Sequence, residues 1–163
     1  MEPFSEFRDG VSRVVTDASY LPVIIRTYFG ATTEKLEHEC TAWLVECLAL
    51  VPSHMKVVII ADTRGGLTTD PKIRKASAQA AKKLEPHMRA HDASIIVIVD
   101  NVVLRSALVA ISWVTQMKMI AVKDLDDAFR EAGELLASKA QELPLGLTAK
   151  AYRVPATPPE SGD

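Results

Sequence analysis

The chain has 163 residues, a length that suits one domain. With 48% hydrophobic and 25% charged residues, it has the balance of an ordinary globular protein. A net charge of -2 gives no general pull toward nucleic acid or acidic membranes, and no apolar run approaches the roughly 20 residues of a membrane helix.

The amino terminus, MEPFSEFRDG, has no basic stretch followed by an apolar core, so no secretory signal is expected. Val11–Thr16 alternates weakly and is expected to form the first strand. Asp17-Ala18-Ser19 supplies turn residues, and Leu21–Phe29, rich in β-branched and aromatic residues, completes an antiparallel hairpin. Thr32 or Thr33 can then cap a helix ending near Pro52. Its apolar positions are Leu36, Cys40, Trp43, Leu44, Cys47, Leu48 and Val51, and its outer face is acidic. Cys40 and Cys47 are about 10 Å apart along such a helix, too far to bridge, and read as reduced core residues.

Val57–Ala61 is uninterrupted by polar residues, as a parallel strand buried on both faces would be. A loop containing Gly65-Gly66 as its turn should follow, with Asp70-Pro71 opening the second helix. Pro86 is expected to kink or split that helix. Ile95–Val99 reads as the next strand, and Asp100 or Asn101 as the cap of a third helix containing Leu104, Leu108, Ile111 and Trp113. Met119–Val122 is the last strand, and Asp124 caps the last helix. The pattern fades at Pro144. Residues 1–143 are therefore taken as one domain and 144–163 as an extension, disordered at least from Val154.

The order β-β-α-β-α-β-α-β-α predicts an α/β fold with a mixed, mainly parallel sheet. LPVIIRTYFG, KVVIIADTRG and IVIVDNVVLRSALVAISWV, followed by the Asp124–Ala137 helix, resemble the SpoIIAA-like fold of STAS domains and bacterial STAS/SEC14-like proteins. The resemblance spans roughly residues 10–138 and implies a βα superhelix. It also implies a regulatory, non-enzymatic role through protein partners, with some relatives suspected of binding small molecules or lipids. Antagonists of anti-sigma factors in this family carry a phosphorylated hydroxyl in an Asp-Ser-Ser-Gly-like motif. The matching stretch here is Leu67-Thr68-Thr69-Asp70-Pro71, so Thr68 and Thr69 are the candidate phosphorylation positions, without the Ser-Gly pair.

The strand ends assemble the candidate binding residues: Asp62, Thr63, Arg64, Gly65 and Gly66 after one strand, Asp100, Asn101 and Arg105 after the next, with Arg74 one turn into the second helix. Carboxyl ends of parallel strands are the usual binding edge of open α/β sheets. Arginines there suit a protein partner or, in the alternative reading, an anionic small ligand or lipid head group. Local turn and cap chemistry accounts for the same residue types.

Residues 64–89 carry seven basic against two acidic residues, +5, while 124–142 carry six acidic against two basic, -4. This asymmetry could serve self-association or an acidic partner. His87 and His91 share a helical face, but the zinc-protease pattern fails at Met88, and no metal is expected. Gly65-Gly66 fits neither GxxxxGK[ST] nor GxGxxG, and no nucleophile stands beside Asp62 and Asp100. The resulting expectation is a cytoplasmic regulatory domain with no cofactor, an unidentified protein partner, a homodimeric option, and neither nucleic-acid binding nor membrane insertion.

Overall fold

The computed structural model describes residues 2–66, 70–101 and 118–155. Six strands form one sheet in sequential order: β1 (Phe4–Asp9), β2 (Ser12–Tyr20), β3 (Val23–Phe29), β4 (Val58–Gly65), β5 (Ser94–Ile98) and β6 (Met119–Val122). The first three pair antiparallel, and β3 through β6 run parallel. The helices among the described residues are α1 (Glu34–Leu50), α2 (Pro71–Ala90) and α3 (Leu125–Ala137). The expected third helix lies outside the described residues, as does the chain beyond Pro155.

The amino-terminal half departs from the expected order by one strand. Phe4–Asp9 is a strand, joined to β2 by a two-residue loop in which Gly10 takes φ +60. A positive φ at the first loop position is what the tight hairpin turns require. Asp17-Ala18-Ser19 is not the turn. It lies inside β2, where the pairing with β3 slips between Asp17 and Tyr20. The Asp17 carboxylate accepts from the Ser19 amide at 2.9 Å, so the turn-forming chemistry is present but bends a strand instead of reversing it.

Strand alternation divides the core. Ile24 and Ile59 face α1 and α2, packing with Trp43, Leu44, Leu48, Leu84 and Met88. Val23, Ile25, Val58, Ile60, Ile96 and Ile98 face the opposite side, against Phe129 and Leu136 of α3. Two helices on one face of a sheet whose strands are laid down in sequence is the result of same-handed crossovers. The helix ends follow local chemistry. The Thr33 hydroxyl accepts from the Leu36 amide at 3.3 Å, and the Asp70 carboxylate accepts from the Lys72 amide at 2.7 Å. Pro86 does not split α2. It sits on the exposed face between Leu84 and Met88, whose burial holds both halves in line.

Residues 144–155, set apart by sequence as an extension, add Leu147 and Tyr152 to the α3 side of the core. Gln141 ties their entry point to β4. Its Oε1 accepts from the Lys56 amide at 2.9 Å, and its Nε2 donates to the Lys56 carbonyl at 3.4 Å.

Lys56 itself is buried, and its Nζ donates to the Asp92 carbonyl at 2.6 Å and carboxylate at 3.0 Å. That hydrogen bond, ahead of the charges of Lys56 and Lys139, holds the Asp92 carboxyl below its ordinary range. A lowered folded pKa adds stability above the unfolded value of about 4, lost as pH falls through the folded value. Lys56→Met should therefore cost about 2 kcal/mol at pH 7, mainly through the lost partner of the Asp92 carbonyl. In urea titrations the gap from wild type should narrow below about pH 4. A pH-independent gap would show that the Asp92 carboxylate contributes nothing.

Candidate functional site

The parallel strands β3 to β6 never reverse their order across the sheet. The crevice at which open α/β sheets usually take ligands forms where that order reverses. It has no counterpart among the described residues, and the rim must be judged on its own side chains.

At that rim, β4 continues through Gly65 instead of ending at Ala61. Gly65 is therefore the end of a strand lying against β3, and the turn expected of the pair falls on Gly66, whose amide donates to the Thr63 carbonyl at 3.1 Å. The Gly30 amide donates to the Gly65 carbonyl at 2.8 Å, and the Thr32 hydroxyl donates to the Gly66 carbonyl at 3.2 Å. A Cβ on Gly65 would overlap the Tyr28 carbonyl oxygen, and one on Gly66 the Gly30 carbonyl oxygen. Glycine is used here for close backbone approach. On the other side, the Thr63 hydroxyl donates to the Ile98 carbonyl at 2.8 Å, tying β4 to β5.

Asp62 is buried, and Arg64 folds back onto it. Nε donates to Oδ1 at 2.8 Å and Nη2 to Oδ2 at 2.7 Å, a two-pronged pair, with the Arg64 amide adding a contact at 3.3 Å. The hydrogen bond to Asp62 raises the Arg64 pKa above its ordinary value, and the nearby charges of Asp100 and Asp124 act in the same direction. Three carboxylates thus surround one guanidinium. Asp62 takes the Nε edge of Arg64 and leaves the Nη1 side of the guanidinium uncommitted to it. Asp100 and Asn101 are exposed beside this pair. Arg74 lies in the first turns of α2. Thr68, Thr69 and Arg105 lie outside the described residues.

Beneath Asp62 is a group of buried polar side chains that sequence alone did not bring together. Thr27 is its register partner on β3, and Asp17 is buried on β2. The Tyr152 phenol reaches the same place from the carboxyl-terminal segment. Burial drives its pKa far above the ordinary value, and the charges of Asp17 and Asp62 push the same way. Its hydroxyl is buried without a hydrogen-bond partner among the described residues. The alternation of β3 and β4 places Thr27 and Asp62 on one face, but nothing local announces Tyr152.

A second buried group lies on the α1 side. The Arg26 guanidinium lies 5.4 Å from the Tyr28 ring centroid, and its Nε and Nη2 are buried without hydrogen-bond partners. Cys40 stands next to it, and burial raises its thiol to about 11, so it is protonated and inert at neutral pH.

The charge asymmetry finds a complement within the chain. Lys72, Lys75 and Lys83 of α2 face Glu34 and Glu37 of α1 across a groove of about 500 Å³. A further groove of about 550 Å³ runs between β1 and α1, past Phe7 and Trp43. Neither is lined by Asp62, Arg64 or Asp100. Compared with known proteins, the chain matches no family model and no curated sequence.

Proposed function

We propose that this chain is a STAS-like, non-enzymatic domain of bacterial signalling that acts by binding a protein partner at the rim formed by Asp62–Gly66 and Asp100–Asn101. The observation that carries this reading is the closed pair of Arg64 and Asp62. A guanidinium already held in two prongs presents a fixed charge pattern to a partner surface, which lowers the ordering cost of docking. The same closure commits the Nε edge of the guanidinium to Asp62, which neutralises part of the charge a small anion would seek. The rim is polar and tied on both sides, by Gly30 and Thr32 toward β3 and by Ile98 toward β5. The alternative of an Arg-lined anion site would have to use the Nη1 side of a guanidinium whose charge Asp62 already offsets.

Asp100→Arg tests the reading, because Asp100 is exposed and its charge faces the Arg64 pair. A partner is first identified by cross-linking the wild-type protein in its source cells and then titrated against purified variants. The expected result is roughly tenfold weaker binding or more, with a Tm within about 3 °C of wild type. Unchanged affinity in a folded variant would remove the rim from the interface.

A further inference from the structure

The segment from Leu143 to Val154 has no regular secondary structure, yet it covers much of one sheet face. Its hydrogen bonds are local. The Leu147 amide donates to the Pro144 carbonyl, the Ala151 and Tyr152 amides to the Thr148 carbonyl, and the Arg153 guanidinium to Lys150 and Tyr152 carbonyls. Attachment to the sheet is by side chains: Leu147 and Tyr152 are buried, and Leu143, Ala149 and Val154 are partly buried. Tyr152 enters a built pocket. Its ring meets Tyr20 at 6.0 Å and Phe129 at 6.3 Å, both edge-on. Its hydroxyl end is buried without a hydrogen-bond partner among the described residues, against the sheet face that carries Thr27 and Asp62. A neutral phenol is accommodated on a face carrying that carboxylate, whereas a phosphorylated one would be repelled.

We infer that the sheet face under this segment is a peptide-docking trough, occupied in cis by the chain's own strap and anchored by Leu147 and Tyr152, and that strap release is a switch on the rim. The link to the rim is Asp62, which strand alternation puts on the sheet face that Tyr152 packs against, with Val58 and Ile60, and which holds Arg64. Withdrawing Tyr152 opens Asp62 to water and loosens the pair that fixes the rim. Segments held by packing with few hydrogen bonds to the rest of a protein open locally, below the free energy of global unfolding. The Gln141–Lys56 clip at the strap's base is where such an opening would stop. The regulatory meaning of the switch rests on the protein-binding reading above, but the trough and strap do not.

Native-state hydrogen exchange on the full wild-type chain tests the strap directly. The Leu147, Ala151 and Tyr152 amides should exchange roughly 100-fold faster than those of Ile60 and Ile96, with little dependence on denaturant. Tyr152→Ala in the full chain should remove the remaining strap protection and leave the sheet protected. That variant should bind a synthetic peptide of residues 143–155 in trans at least tenfold more tightly than wild type does. Strap amides that exchange only with the sheet amides would overturn the proposal, whether or not the variant folds. So would a folded Tyr152→Ala protein with a released strap and no peptide binding. Both readouts omit any partner, so they can fail while the rim titration succeeds, and the reverse.

Discussion

Gly65→Ala is expected to destabilise the protein by about 3 kcal/mol. The new Cβ would overlap the Tyr28 carbonyl oxygen. That oxygen belongs to the backbone of β3, where Tyr28 pairs with Val14 of β2 and its neighbours Thr27 and Phe29 pair with β4 around a register shift, so it retreats only by disturbing those sheet contacts. Gly66→Ala should behave similarly, against the Gly30 carbonyl oxygen. The matched control is Gly133→Ala. Gly133 lies inside α3, and an added Cβ there meets nothing within 4 Å. It should stabilise by about 0.5–1 kcal/mol, because alanine restricts the unfolded chain and favours helix. Urea unfolding of the three variants gives opposite signs for the same chemical change. A Gly65→Ala cost near zero would mean that the Asp62–Gly66 stretch is a free loop after all.

The glycine pair shows where sequence reading reached its limit. Two glycines after an apolar strand ordinarily mean a turn, because local rules reward conformational freedom. Gly66 does turn the chain, onto the Thr63 carbonyl, but both glycines also serve a distant neighbour, and the Tyr28 and Gly30 carbonyls become visible only once β3 and β4 are placed side by side. Asp17-Ala18-Ser19 failed for a related reason. Its Asx hydrogen bond is local and real, but tertiary pairing with Ile25 and Val23 kept the chain extended. The missing strand is harder still. Phe4–Asp9 mixes Glu6, Arg8 and Asp9 with two phenylalanines and lacks a clean alternation, and its pairing with β2 is not a local property.

What was legible was what local chemistry determines. Thr33, Asp70 and Asp124 cap helices as their positions imply. The run Val57–Ala61 did announce a strand with both faces buried, as Ile59 and Ile60 show by packing on opposite sides. For the site, sequence placed Asp62, Arg64 and Asp100 at neighbouring strand ends, and the structure brings those three together. The reading of these residues as local structure, with Arg64 pairing with an aspartate, also holds. What sequence did not offer was Tyr152, ninety residues on, on the sheet face that carries Asp62.

The pair that Arg64 makes with Asp62 is strongly asymmetric. The Arg64 side chain keeps about a third of its exposure, whereas only 11% of the Asp62 side chain is exposed. Arg64→Ala leaves a nearly buried carboxylate with two prongs removed, beside the like charges of Asp100 and Asp124. The expected cost is about 2 kcal/mol, below the usual 3–5 for a fully buried pair because water reaches one side. Asp62→Asn should cost less, since the amide fills the same space and Arg64 can still reach water. The double variant should recover much of the Arg64→Ala loss, because no buried charge remains. A coupling of about 1 kcal/mol or more in this cycle, measured by urea unfolding at neutral pH, is the expected outcome. Additive losses would show that Asp62 and Arg64 are independently solvated. The rim would then be a set of mobile charges, and the argument for a preorganised protein-binding surface would lose its physical basis.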